Sequence, residues 1–234
     1  MTLNTNHLFS PSEYTAALLL YLRRHAAQVH SSRALDMGAG SGVVMATLLA
    51  LGAQSALGVE LEALAVEAAQ KLLNQEGLLA NASLVQGDMW AACGDARFDL
   101  VVTNLPQFAT DHVEGDGRLA SWSAGGTDGR RSVDRFLNGL GRHLAPEGLA
   151  LMTHNVFLDI GKTQTMLDLL GLRARVAYCA SAPLPLHKLA SLSPQVLTRF
   201  TGRGIHKMGD YWFVDFDIVE IRWKQGNAGR GSTA

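Results

Sequence analysis

No apolar run free of charge in these 234 residues approaches the roughly 20 that cross a bilayer, although hydrophobic residues make up 47% of the chain and charged ones only 18%. The sequence therefore offers no helical membrane span and has a globular balance. A secretory leader is missing from the reading as well, because Glu13 and no basic cluster precede the apolar run at 16–22. Cysteine is scarce: Cys93 and Cys179 stand alone, with no zinc spacing and no disulfide framework. Both are expected to be packing residues in a reducing, cytoplasmic setting. Charge of either sign is also lacking in excess. The formal net charge of −1 gives no general attraction to polyanions, so nucleic acid is an unsupported partner. Arg130, Arg131 and Arg135 cluster locally, as do Arg199, Arg203, His206 and Lys207, and both groups are expected to be solvated faces. The eight histidines have no metal spacing. His112, His154 and His206 are candidates for proton handling at the rim of a site, although packing or the surface is the commoner fate of a histidine.

What is present is an alternation of strand and helix patterns, which implies a mostly parallel sheet covered on both faces. Residues 11–27 read as a helix with Ser10 as cap, Pro11 in its first position and Glu13 in its first turn. Strand patterns follow at 33–38, 56–60, 82–86 and 98–103, with helices at 43–51 and 63–75 closed by Gly52 and Gly77. The run Phe-Asp-Leu-Val-Val-Thr at 98–103 is largely apolar, as a strand buried on both faces must be. A polar loop at 107–127, a helix at 132–143, a strand at 148–153, a helix at 160–170 and a strand at 172–178 come next. Residues 214–223 alternate apolar and polar, which predicts a last, antiparallel strand with one wet face. The organisation expected is an N-terminal helix within 1–30, one α/β domain at 31–224 with a rim insertion at about 181–210, and a disordered tail at 225–234.

Three motifs sit at strand ends. Asp36-Met-Gly38-Ala39-Gly40-Ser-Gly42 joins the first strand to its helix, where glycines let backbone pass close to a ligand. Glu60 ends the next strand about 20 residues on, the separation at which an acid meets ribose hydroxyls. Gly87-Asp88-Met89 follows the third strand, where an acid can meet an adenine amino group while the next residue covers the ring. A nicotinamide enzyme would use the same sheet and the same acid. Its usual Gly-x-Gly-x-x-Gly spacing is not met, since the third glycine arrives one residue early.

Asn104-Leu105-Pro106-Gln107 follows the fourth strand, at the carboxyl edge where open α/β sheets bind ligands. Methyl transfer to nitrogen requires the N–H groups to be held by acceptors so that the lone pair points in line at the methyl group. The Asn104 side chain and the Leu105 carbonyl can do this without a strong base. Taken together, Asp36–Gly42, Glu60, Gly87-Asp88 and Asn104–Gln107 resemble class I S-adenosylmethionine-dependent methyltransferases, over most of the chain. The resemblance implies a Rossmann-like, seven-stranded, mostly parallel sheet with a final antiparallel strand. It implies S-adenosyl-L-methionine as cofactor, with Asp36, Gly38, Ala39, Gly40 and Gly42 beside its methionine part, Glu60 and Leu61 at the ribose, Asp88 and Met89 at the adenine, and Asn104 near both cofactor and acceptor.

Asn-Leu-Pro-Gln is similar to the Asn-Pro-Pro-Tyr motif of nitrogen methyltransferases, with Leu105 in place of a proline and Gln107 in place of the aromatic that stacks on a planar acceptor. Phe108 could take over that stacking. Pro11-x-Glu13-x-Thr15, Gly125-Gly-Thr-Asp-Gly129 and Leu144-Ala-Pro-Glu-Gly148 resemble the release-factor glutamine N5-methyltransferase branch of the small methyltransferase domain family, although, with the first strand read near Arg33, no counterpart of the bacterial enzymes' separate N-terminal helical domain is expected. Glu13 and Phe108 are thus expected at the substrate, and a protein glutamine amide is the first acceptor expected. A nucleic-acid base, a small molecule, or a role as a cofactor-binding partner subunit without activity remain open alternatives, and nothing bears on oligomeric state.

Overall fold

A computed structural model describes residues 11–110 and 124–225. The expected cap Ser10, His112, most of the polar loop and the tail at 226–234 lie outside the described residues. The helix α1 (Glu13–Arg24) is capped not by Ser10 but by Ser12, whose hydroxyl accepts from the Thr15 N–H in a capping box. A short turn of helix, α2 (Ala26–Val29), follows it.

From there strand and helix alternate: β1 (Arg33–Met37), α3 (Val43–Ala50), β2 (Ser55–Glu60), α4 (Ala63–Gln75), β3 (Ala82–Gln86) and β4 (Phe98–Thr103). After the loop that begins at Asn104 come α5 (Arg131–His143), β5 (Leu144–Asn155), α6 (Ile160–Leu169) and β6 (Leu172–Pro183). The connection then carries α7 (Leu186–Ser191), α8 (Pro194–Phe200) and β7 (Ile205–Met208) before the last strand β8 (Tyr211–Trp223). The sheet order is β3-β2-β1-β4-β5-β8-β6, with β7 added as an eighth strand on β8. β1 to β5 run parallel, and β8 is antiparallel to both β5 and β6. The parallel sheet with an antiparallel last strand is therefore present, enlarged by β7. Two strands also outrun their sequence signal: β5 begins four residues early, where Leu144 pairs with Phe98 of β4, and β6 continues to Pro183, where pairing with β8 holds residues that have little apolar periodicity.

Alternate residues of the buried strands feed two cores. Leu35, Met37, Val101, Ala150 and Met152 pack with Phe136, Leu137 and Leu140 of α5, while Ala34, Leu100, Val102, Leu149 and Leu151 pack with α1 and α3. Leu18 and Leu22 of α1 lie wholly inside the second core. A buried polar contact adds to them: the Tyr21 hydroxyl donates to Glu220 Oε1 of β8 at 2.6 Å, and Arg175 of β6 donates to Glu220 Oε2 at 2.7 Å. The arginine and the phenol hold the Glu220 carboxyl below its ordinary range against the opposing effect of burial, and Tyr21 is pushed up to about 12 by burial and by its bond to Glu220. Tyr21→Phe should lower stability by about 1.5–3 kcal/mol, the range for a hydrogen bond to a charged group. Equilibrium urea unfolding would check this, and an unchanged midpoint would show that the bond to Glu220 adds nothing to the seating of α1.

Candidate active site

Parallel strands end on a common edge, and the strand order reverses beside β1, which has β2 on one side and β4 on the other. A crevice at such a switch point is where open α/β sheets take ligands. Here it is a cavity of about 520 Å³, within the range of small-molecule sites. Asp36, Gly38, Ala39 and Gly40 line it after β1, Glu60 and Leu61 after β2, Asp88 and Met89 after β3, and Asn104 to Phe108 after β4. Glu13 reaches it from α1. Gly42 alone of the residues expected beside the cofactor is not part of the wall. It sits at φ +80 as the cap residue just before α3, and a Cβ there would lie 2.7 Å from Cβ of Ala69, so its smallness serves the packing of α3 on α4.

The glycine turn is built on carboxylates. Glu60 Oε2 accepts the Gly40 N–H at 2.8 Å, and its Oε1 accepts those of Leu61 and Glu62 at 2.8 and 3.0 Å. The Gly38 and Ala39 N–H groups donate to the Val59 carbonyl. Asp36, almost wholly buried, accepts the Met45 N–H at 3.1 Å. Burial above all, with the nearby Glu60 charge, raises the Asp36 carboxyl to about 7, against the lowering effect of the Met45 bond. At the next strand end the Asp88 carboxylate takes a 2.7 Å ion pair from Arg135 of α5, both side chains about half exposed, and Met89 stands in the left-handed region at φ 52.

The acceptor loop is held more tightly still. Thr153 of β5 donates its hydroxyl to Asn104 Oδ1 at 2.7 Å, and Asn104 Nδ2 donates to Thr15 Oγ1 of α1 at 3.1 Å. Gln107, 5% exposed, donates Nε2 to the Thr153 carbonyl at 2.7 Å and to its hydroxyl at 3.0 Å, while its Oε1 accepts the Asn155 N–H at 2.8 Å. Tyr14 donates to Asn155 Oδ1 at 2.7 Å and stacks on Phe216; burial raises its phenol, which stays protonated. Leu105 packs under the glycine turn, with its Cδ2 3.3 Å from where a Gly38 Cβ would stand. Phe108 is nearly buried edge-on to Phe157, with the Lys188 ammonium over its ring. Behind the loop, Gly129 stands at φ +78, and a Cβ on it would lie 2.4 Å from the Gln107 carbonyl oxygen.

Several sequence expectations change. Gln107 lies at the cavity, but its amide is spent on β5. Arg130, expected to be solvated, is buried, donating to the Leu158 carbonyl and Thr163 and paired with Asp134 at 2.7 Å. Cys93 is buried, but Cys179 is exposed on the outer strand β6 and is not a packing residue. His154 is no rim group: it is fully buried, bonded to Thr163, and held near 4 by burial and the Arg130 charge, so it is neutral. His206 stacks on Phe213 of β8 and faces Asp215. Tyr14, Thr153, Asn155, His187 and Lys188 were not singled out by sequence, and Thr15 and Arg135 were named only in an entry-helix motif and a solvated cluster, yet all seven line the cavity or bond to residues that do. The available signal was the polar Thr-His-Asn ending of an otherwise apolar β5, and Tyr14-Thr15 beside the quoted Glu13.

The methyltransferase small domain family matches residues 2–118, half of the chain. The ribosomal protein uL3 glutamine methyltransferase of Bradyrhizobium diazoefficiens is 30% identical over 148 residues, 58% of this chain and 43% of that protein. The release factor glutamine methyltransferase of Geobacter sulfurreducens is 30% identical over 159 residues, 64% of this chain and 52% of that protein. The chain thus spans about half the length of these curated relatives. Among solved structures, the Mtq2–Trm112 complex of E. cuniculi, described as responsible for methylation of the eRF1 translation termination factor, matches with a TM-score of 0.60 at 16% identity. That match covers 93% of this chain and 99% of the other and is a likeness of fold.

Asp36 gives the site a measurable pH signature. Its folded-state pKa is raised, so the folded protein holds the extra proton between about 4 and 7, and this group lowers stability as pH rises through that window. His154, depressed to about 4, acts with the opposite sign over roughly pH 4 to 6.5. Relative to wild type, Asp36→Asn should therefore gain stability steadily from pH 4 to 7 and hold that gain above. Urea midpoints at several pH values would check this, and a pH-independent difference would place the Asp36 titration elsewhere.

Proposed function

The chain belongs to the methyltransferase small domain family, and from that membership we propose an S-adenosylmethionine-dependent methyltransferase whose acceptor is the side-chain amide nitrogen of a protein glutamine. The observation that carries the reading is the fixed Asn104 amide at the carboxyl end of β4, beside a cavity walled by the glycine turn, Glu60 and Asp88. The glutamine-methylating relatives support the choice of acceptor.

The cavity fits the cofactor in size and in its division of polarity. Backbone of Gly38 to Gly40 would flank the amino-acid part, Glu60 would take a ribose hydroxyl on the Oε2 lone pair that its backbone bonds leave open, and Asp88 with Met89 would meet the adenine. When bound, S-adenosylmethionine supplies an electrophilic methyl: an N–C bond forms, the C–S bond breaks with its electron pair kept by sulfur, and one amide proton is released. The protein's part is to hold the acceptor. An amide nitrogen is a poor nucleophile because its lone pair is delocalised, so acceptors on its two N–H groups have two effects: they fix its direction and increase its electron density. Asn104 Oδ1 and the Leu105 carbonyl fill that role, with Phe108 and Glu13 toward the rest of the substrate and Pro183 to Lys188 closing the rim.

The deciding experiment is transfer of labelled methyl groups into cell lysate separated into protein, RNA, DNA and small-molecule fractions. Label in protein, released as N5-methylglutamine on enzymatic digestion, is the expected result. Label in another fraction would replace the acceptor, and no label despite cofactor binding would replace the enzyme by a binding subunit. Two variants divide the site. Glu60→Gln should weaken S-adenosylhomocysteine binding about tenfold, or about 1.4 kcal/mol, because its amide cannot accept every N–H that the carboxylate does. Asn104→Ala should keep that affinity within a few fold and lose turnover by roughly 10²-fold or more. Calorimetry and initial rates measure the two, and wild-type turnover in Asn104→Ala would remove the acceptor role.

A further inference from the structure

The order of hydrogen bonds around Asn104 is forced from β5. A backbone N–H can only donate, so the Gln107 atom 2.8 Å from the Asn155 N–H is its oxygen, and the atom 2.7 Å from the Thr153 carbonyl is its nitrogen. That nitrogen also donates to the Thr153 hydroxyl, leaving the single hydroxyl proton for Asn104, 2.7 Å away. The Asn104 atom on the β5 side is therefore the oxygen. Its nitrogen then donates to Thr15 Oγ1, which belongs to the capping box of α1. One polarised line of donors thus runs from the β5 backbone through Gln107, Thr153 and Asn104 to the start of α1.

We propose that Gln107, acting through Thr153, is the positioning residue that sets which end of the Asn104 amide is the acceptor for substrate. The two orientations of an asparagine differ little in shape and completely in chemistry: one offers a carbonyl lone pair to a substrate N–H, and the other offers two more donors, which an N–H repels. At an isolated asparagine the choice would be left to solvent. Here it is dictated by two backbone groups that cannot change role. The arrangement also accounts for the missing aromatic at 107, since a residue without both a donor and an acceptor in its side chain could not read the Asn155 N–H and the Thr153 carbonyl together.

This inference rests on the proposed nitrogen methylation for its kinetic consequence but not for its structural one. Thr153→Val preserves shape and removes the hydroxyl, Gln107→Met preserves length and removes both polar ends, and Thr153→Ser restores the hydroxyl. In the labelled-transfer assay Thr153→Val and Gln107→Met should lower kcat at least tenfold with S-adenosylhomocysteine affinity within about twofold, and Thr153→Ser should stay near wild type. The Asn104 side-chain amide resonances, assigned in 15N spectra of the full chain by their loss in Asn104→Ala, should shift in Thr153→Val and Gln107→Met and stay put in Thr153→Ser. Unmoved resonances in a folded Thr153→Val and Gln107→Met would overturn the relay. A Thr153→Ser as impaired as Thr153→Val would overturn it too, by reducing the effect to packing. If wild type transfers no methyl group, the functional reading fails, and the resonances still decide the relay.

Discussion

Parallel strands deliver polar side chains to one edge of the sheet, and any of them shut away from water must find a partner in the protein. Asp36, Glu60, Thr103, Asn104, Thr153 and Asn155 all stand at such ends, and Asp36, Glu60, Thr103, Thr153 and Asn155 are nearly or fully buried. Their partners are largely the groups that shape the site: the Met45 amide in the first turn of α3 for Asp36, loop amides for Glu60, the Met37 carbonyl for Thr103, and the loop at 104–107 and α1 for the rest. The need to satisfy these groups is what joins the cavity wall to the sheet. The glycine turn is tied to the end of β2 and the loop after β4 to the end of β5, so the geometry of the sheet is handed on to the cavity.

α1 shows how far this extends. Its apolar face would seat it on the sheet in any of several rotations, because burial has no direction. Three directional contacts remove that freedom: Tyr14 to Asn155, Thr15 to Asn104, and Tyr21 to Glu220. Two of the three belong to the acceptor site, so the helix is at once part of the core and part of the wall.

The fold was legible in the sequence because its signals are local. Buried parallel strands read as short apolar runs, and α4, β3 and β4 fall where their patterns ended. The glycine turn and the acids after β2 and β3 were legible for the same reason, as fixed offsets from strand ends. What escaped depended on partners distant in sequence. Thr153 lies 49 residues from Asn104, and Thr15 lies 89 residues from it. Gln107 looked like a degraded stacking position because its real partners sit on a strand whose register the sequence does not reveal. Arg130 failed in the opposite way: polar residues are usually outside, and nothing near it announced that Thr163 and the Leu158 carbonyl would take it in, whereas His154 met the commoner fate of a histidine, packing.

The contact of Gly129 with the Gln107 carbonyl has an implication for transplantation. The acceptor loop and the turn at 125–129 are separated along the chain but share a surface with no room for one methyl group between them. They form a single exchangeable cassette. An Asn-Leu-Pro-Gln loop moved into another scaffold without its glycine turn would meet a side chain where this protein has none, and the backbone carrying Gln107 would be displaced from β5. Diversification of the acceptor loop in a library should accordingly treat 104–108 and 125–129 as one unit, varied together or not at all.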